Sequence, residues 1–277
     1  MNNDNLQFLQ DSLKYLGFGT KLHLNDLLEE RIEKEPKEFQ LETEAFFEED
    51  YKLEAILYFR RGNQGEMYFF NKYTASLIPA HDPENSRTQT FYISKGTGVT
   101  FKEAYNLLQG RSVNKDLINA EGQKYNAWIQ LNFEEKDLHD NYKVKQYRVQ
   151  YGYDLEKTLQ KYPIAEMKQE ELRAGLIRSL KKGNQHTVSF EKTNKTEKML
   201  IEANPQYKTI NIYSLATRAI HAGNGPEGGE EEKPGITKSG ARHPKDGDGG
   251  ENGLAMESKE EEPEKTVSRK PAKKGAA

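Results

Sequence analysis

The chain has 277 residues, 34% of them hydrophobic and 31% charged, and it contains no cysteine. Disulfides, thiolate zinc sites and cysteine nucleophiles are therefore excluded. The net charge of −3 hides a segregation: residues 1–50 hold 13 acids and 5 bases, residues 51–220 hold 19 and 26, and residues 221–277 hold 12 and 10. An acidic start followed by a basic middle can direct the choice of partner.

No apolar run approaches the ~20 residues that span a bilayer. Met1-Asn2-Asn3-Asp4 lacks the basic start and apolar core of a secretory signal. Together these point to the cytoplasm and to no membrane partner.

In chain order, Asp4-x-x-Gln7 resembles a capping box, followed by Leu6, Leu9, Leu13 and Leu16 at helical spacing and Gly17 as the stop. A second helix is expected from near Asn25, carrying Leu28 and Ile32 and ending before Pro36. Alternation from Tyr51 to Arg60 predicts a strand, and Arg61-Gly62-Asn63-Gln64-Gly65 a hairpin turn into Met67–Phe70. A further strand is predicted over Thr90–Ile93.

Thr100-Phe101-Lys102-Glu103 reads as a capping box for a helix that Gly110 closes. Strands follow over Tyr125–Leu131 and Tyr142–Tyr151, then helices around Leu155–Tyr162 and Leu172–Leu180. Short strands near Thr187–Phe190, Lys198–Ala203 and Tyr207–Tyr213 close the folded part.

Two stretches run alike. Each has a helix, a glycine stop (Gly110, Gly183), two strands ending at an asparagine (Asn132, Asn204) and a strand opening Tyr-Lys (Tyr142, Tyr207). The fold expected is α+β, with short helices packed on small antiparallel sheets and a duplicated helix-plus-sheet module. Three regions are expected: residues 1–99 with helices and a β-rich part, residues 100–216 with the module, and a disordered tail over 217–277. The tail is rich in Gly, Pro, Lys and Glu, and cannot bury enough apolar surface to offset about 1–2 kcal/mol of backbone entropy per residue.

Catalytic patterns are missing. Lys95-Gly96-Thr97-Gly98 is too short for a phosphate-cradling loop, and the histidines do not pair at helical spacing. The expectation is a protein with no catalytic residue, metal or cofactor. One constellation carries binding chemistry: Tyr142, Lys143, Lys145, Tyr147, Arg148, Tyr151 and Tyr153 interleave bases with aromatics. On a strand, Lys143, Lys145 and Tyr147 share one face. Lysine and arginine neutralise phosphate while aromatic rings stack on bases, so Lys143, Lys145, Tyr147 and Arg148 are candidate nucleic-acid contacts. Arg60 and Arg61 add candidate phosphate contacts, as does Lys181-Lys182. The competing reading is an ordinary half-exposed strand.

The stretches Gly110–Leu117, Glu121–Leu131 and Tyr151–Lys157 resemble an uncharacterised family encoded on conjugative transposons and plasmids of anaerobic gut bacteria. That resemblance implies a genetic context, with genes for DNA-processing proteins nearby, and carries over no functional residue. The function expected is a non-catalytic accessory protein of a mobile genetic element that binds DNA, RNA or a DNA-processing partner. The alternative is a protein–protein or regulatory module without nucleic-acid binding.

Overall fold

A computed structural model describes residues 2–19, 22–47, 50–63, 65–93, 98–193 and 195–215. The expected tail at 217–277 lies outside the described residues. Among those described, the chain is α+β, with five α-helices and three small antiparallel sheets.

The first sheet is a meander, β1 (Glu38–Phe47), β2 (Tyr51–Arg61), β3 (Tyr68–Pro79) and β4 (Arg87–Tyr92), paired in that order. Its strands alternate, so one face collects Phe39, Leu41, Leu53, Ala55, Leu57, Tyr73, Ala75, Leu77 and Phe91. A bulge opposite Tyr58 and Phe59 shifts the β2–β3 register, and Phe70 and Tyr73, three apart, both reach that face. Three helices cover it: α1 (Asn3–Tyr15), α2 (Leu22–Glu33) and α3 (Phe101–Leu108). Their apolar stripes, Leu6–Leu9–Leu13, Leu24–Leu28–Ile32 and Phe101–Ala104–Leu108, complete the first core.

Local chemistry sets the helix ends. Asn2 caps α1 by accepting the Asn5 N–H at 3.0 Å, two residues before the Asp4 cap that the sequence pattern suggests; Asp4 instead sits in the first turn, where the helix dipole favours an acid. The Asn5 side chain then exchanges two hydrogen bonds with the Tyr68 backbone, at 2.7 and 3.0 Å, tying α1 to β3. Thr100 and Glu103 form the predicted reciprocal box on α3. Glu103 also holds the Lys115 ammonium at 2.9 Å, largely shielded from water.

The second sheet is β5 (Val113–Ile118), β6 (Lys124–Lys136) and β7 (Tyr142–Arg148), and the third is β8 (His186–Lys192), β9 (Lys195–Asn204) and β10 (Thr209–Ser214). In both, the middle strand of a three-strand meander lies at the centre. Each follows a helix: α3 precedes the second sheet, and α4 (Leu155–Leu159) and α5 (Glu170–Lys181) precede the third. Gly110 and Gly183 stop α3 and α5 at φ +84° and +78°, and β5 and β8 each open three residues later. Val113 then pairs with Ile129, and His186 with Ile201. The two segments thus repeat one element order, one strand order and nearly one register.

The first core does not stop at residue 99: it takes in α3, Val113, and Ile129 and Leu131 from one face of β6. Trp128, on the other face of β6, enters a second core with Leu155, Leu159, Leu176, Leu180, Val188 and Ile201. The central strand of the second sheet therefore serves both cores.

Several strand assignments differ from the sequence reading: β5 has no range of its own there, β3 runs on from Phe70 to Pro79, and β10 opens at Thr209 rather than Tyr207. β1 has no counterpart there, because its glutamates mask the Phe39–Leu41–Thr43–Ala45–Phe47 alternation. The strand expected to run to Tyr151 ends at Arg148; a 3₁₀ turn over Val149–Tyr151 follows, and Gly152 reverses the chain at φ +80°.

Candidate nucleic-acid interface

The register of β7 on β6 sets which side chains converge. Lys143 lies opposite Asn132, Lys145 opposite Gln130 and Tyr147 opposite Trp128, so these three share one face. Arg148 pairs with Ala127 and belongs to the opposite face, where its guanidinium lies 4.5 Å from the Tyr125 ring centre. The cluster of four is thus divided between two surfaces.

Lys145 is exposed. Lys143 is exposed as well and holds Glu135 at 3.0 Å, which keeps that carboxyl below the usual glutamate range. Exposed pairs of this kind add little stability and exchange readily with other anions. Tyr147 is half-buried against the second core, with its ring 5.0 Å from that of Tyr151. Burial raises its phenol pKa, and Tyr151 and Tyr207 add to the shift. Its ring is largely spent on packing.

Arg60 and Arg61 end β2, remote from this face. Gln89 accepts the Tyr142 N–H at 2.8 Å, which anchors the start of β7 beside the Ala55–Ala75–Gln89 row of the first sheet. Arg60 lies five residues further along β2, roughly 17 Å at ~3.4 Å per residue. Arg61 is engaged with Glu35 at 3.4 Å and with the Gly65 carbonyl.

The structure adds two residues, Tyr207 and Lys208, that strand periodicity does not group with Tyr151. The Lys208 ammonium lies 4.6 Å from the Tyr151 ring centre, and the Tyr151 hydroxyl donates to the Gln206 carbonyl at 2.6 Å. Tyr207 is 71% exposed and Tyr151 38%. Tyr207 and Lys208 sit in the turn before β10, rather than opening that strand as expected, because Pro205 and a left-handed Lys208 (φ +53°) bend the chain there. Asn204-Pro205 was the available signal, a dipeptide that favours turns. Lys143, Lys145, Tyr147, Tyr151, Tyr207 and Lys208 therefore line a basic and aromatic strip assembled from both repeats.

An open groove of about 460 Å³ lies alongside. Trp128, 5% exposed, is at its floor; Val149 and Gly152 belong to its wall, as do Lys157 and Lys181. Lys182 takes a different role, its carbonyl accepting from the Asn106 side chain at 2.7 Å. The paired Asn114 and Asn126 amides, at 2.8 and 3.0 Å, line the groove too. Among the described residues no group of three His, Asp or Glu is placed to hold a metal ion, and no helix is long and apolar enough to cross a membrane. Chemically, the strip offers ammonium groups for phosphate and phenol rings for base faces.

Comparison with protein-family models, with curated proteins and with solved structures found no match.

Proposed function

We propose that the protein is a non-catalytic accessory protein of a mobile genetic element, and that it binds single-stranded nucleic acid along the strip from Lys143 to Lys208. The observation that carries this reading is the placement of exposed Tyr207, Tyr151 and Lys208 beside Tyr147, on the strand face that Lys145 shares. Stacking on tyrosine tolerates any base, and lysines along a strand edge follow a phosphate backbone without reading sequence. The resemblance of Gly110–Leu117, Glu121–Leu131 and Tyr151–Lys157 to a family of conjugative elements supports the genetic context.

A labelled oligonucleotide titration tests this. The full chain is expected to bind single strands at ~50 mM salt, where screening is weak. Replacing Lys145 and Lys208 by Gln is expected to reduce the slope of log K against log salt by about 1.4, two contacts at ~0.7 each. An unchanged slope removes the strip from the interface. The second reading, a protein-binding module, draws on the Lys143–Glu135 pair, which already neutralises one cation of the strip; a wild type that binds no oligonucleotide at low salt supports it.

A further inference from the structure

Among the described residues six strands lie at sheet edges, and they are not equally protected. In β4, the Thr90 N–H is taken by the Asn141 side chain at 2.9 Å. In β8, Glu166 takes the Ser189 N–H and the Pro163 carbonyl takes the Glu191 N–H. β7 is held at its start by Gln89, and β5 and β10 are six residues each. β1 differs: it is ten residues long, pairs with β2 without a register break, and contains neither proline nor lysine. Among the described residues no strand pairs with its outer side. Natural sheets blunt such edges with bulges, prolines, charged side chains or short length; of these β1 has only its glutamates, which turn away acidic strands but not basic ones.

The hydrogen-bond phase is set by the Arg61 N–H, which donates to the Lys37 carbonyl at 2.9 Å. In an antiparallel pair the bonded positions alternate, so odd-numbered residues of β1 bond to β2. Glu38, Gln40 and Glu42 then direct their N–H and C=O groups away from the sheet. The same three residues place exposed side chains on the open face. A strand added there would set its own side chains directly opposite two glutamates. An acidic strand, including a second β1, is repelled, and a basic one is matched.

We propose that the outer edge of β1, from Glu38 to Glu42, accepts an extended basic segment of a protein partner as an added strand. Backbone pairing supplies the attachment and the glutamates select the charge. This site is independent of the nucleic-acid strip.

The test uses the full chain and a synthetic decapeptide alternating Lys with Val, followed by isothermal titration and amide hydrogen exchange. Binding is expected, with slowed exchange at Gln40 and Glu42. An equally charged peptide N-methylated at alternate amides is expected to bind at least about tenfold more weakly, because it keeps the charge and loses the ladder. Gln40→Pro removes an outward N–H without changing charge and is expected to weaken binding similarly, its fold checked by circular dichroism. Glu38→Gln with Glu42→Gln supplies a variant with an unaltered backbone, expected to lose the preference for Lys over Glu peptides. Equal binding of the N-methylated peptide would overturn the proposal, since the attraction would then be charge alone. No binding of the Lys peptide, or self-association through β1 in sedimentation, would overturn it as well.

Discussion

Gly183 illustrates how much a single position can carry. It ends α5 in the left-handed region, at φ +78°, and an added Cβ there would lie 2.9 Å from a Val113 methyl and 3.0 Å from the Ser112 carbonyl oxygen. Gly183→Ala therefore combines a left-handed alanine with a clash across the contact between the repeats. The expected loss is about 2–5 kcal/mol, measured as a fall in the denaturant midpoint. At the strip, Tyr207 and Tyr147 are expected to part company. Tyr207→Ala is expected to cost ~1–3 kcal/mol of single-strand affinity with the thermal midpoint nearly unmoved, as for a stacking ring on the surface. Tyr147→Ala is expected to lower the midpoint first, since its ring packs on the second core. A Tyr207 variant that binds normally would remove the stacking role.

Among elements, those set by local chemistry were legible in the sequence, and those set by pairing were less so. Thr100-x-x-Glu103 is a contained signal: both partners lie within one turn, and the box forms as read. Thr100→Ala is expected to cost about 1 kcal/mol, within the range for lost N-caps, by chemical denaturation. The repeat was legible because its glycine stops and the asparagines that follow them recur at matched spacing, although β6 runs past Asn132 to Lys136 whereas β9 ends at Asn204. β1 was missed because Glu38, Glu42 and Glu44 dominate its composition, while its inward residues include the weakly apolar Thr43 and Ala45. The shared face of Lys143, Lys145 and Tyr147 follows from strand period alone. That Tyr147 is packed, and that Tyr207 and Lys208 join the strip, depends on how the third sheet meets the second, which periodicity does not encode. Arg60 and Arg61 look basic in sequence, yet the length of β2 carries them away.

For the whole molecule, two cores joined through β6 make the fold sensitive to alkali. Burial raises the phenol pKa of Tyr73, Tyr153 and Tyr213; nearby Glu202 raises that of Tyr213 further. A group whose pKa is raised on folding contributes stability that is complete below its unfolded value and declines as pH climbs above it. Stability is therefore expected to hold up to about pH 10, the unperturbed tyrosine value, and to fall steeply beyond it. Tyrosinate absorbance followed against pH checks this. Tyr73 and Tyr153 are expected to ionise only as circular dichroism reports unfolding, whereas their smooth titration in a folded chain would contradict the burial assigned to them.

The proposed nucleic-acid strip spans the second and third sheets. Photo-crosslinking tests it most directly, with a single strand carrying halogenated uracil and the adducts located by mass spectrometry on the full chain. Adducts are expected at Tyr207 and Tyr151, and are lost when Lys145 and Lys208 are replaced by Gln. Adducts confined to the Arg60–Arg61 end of the first sheet, or none at low salt, would contradict this.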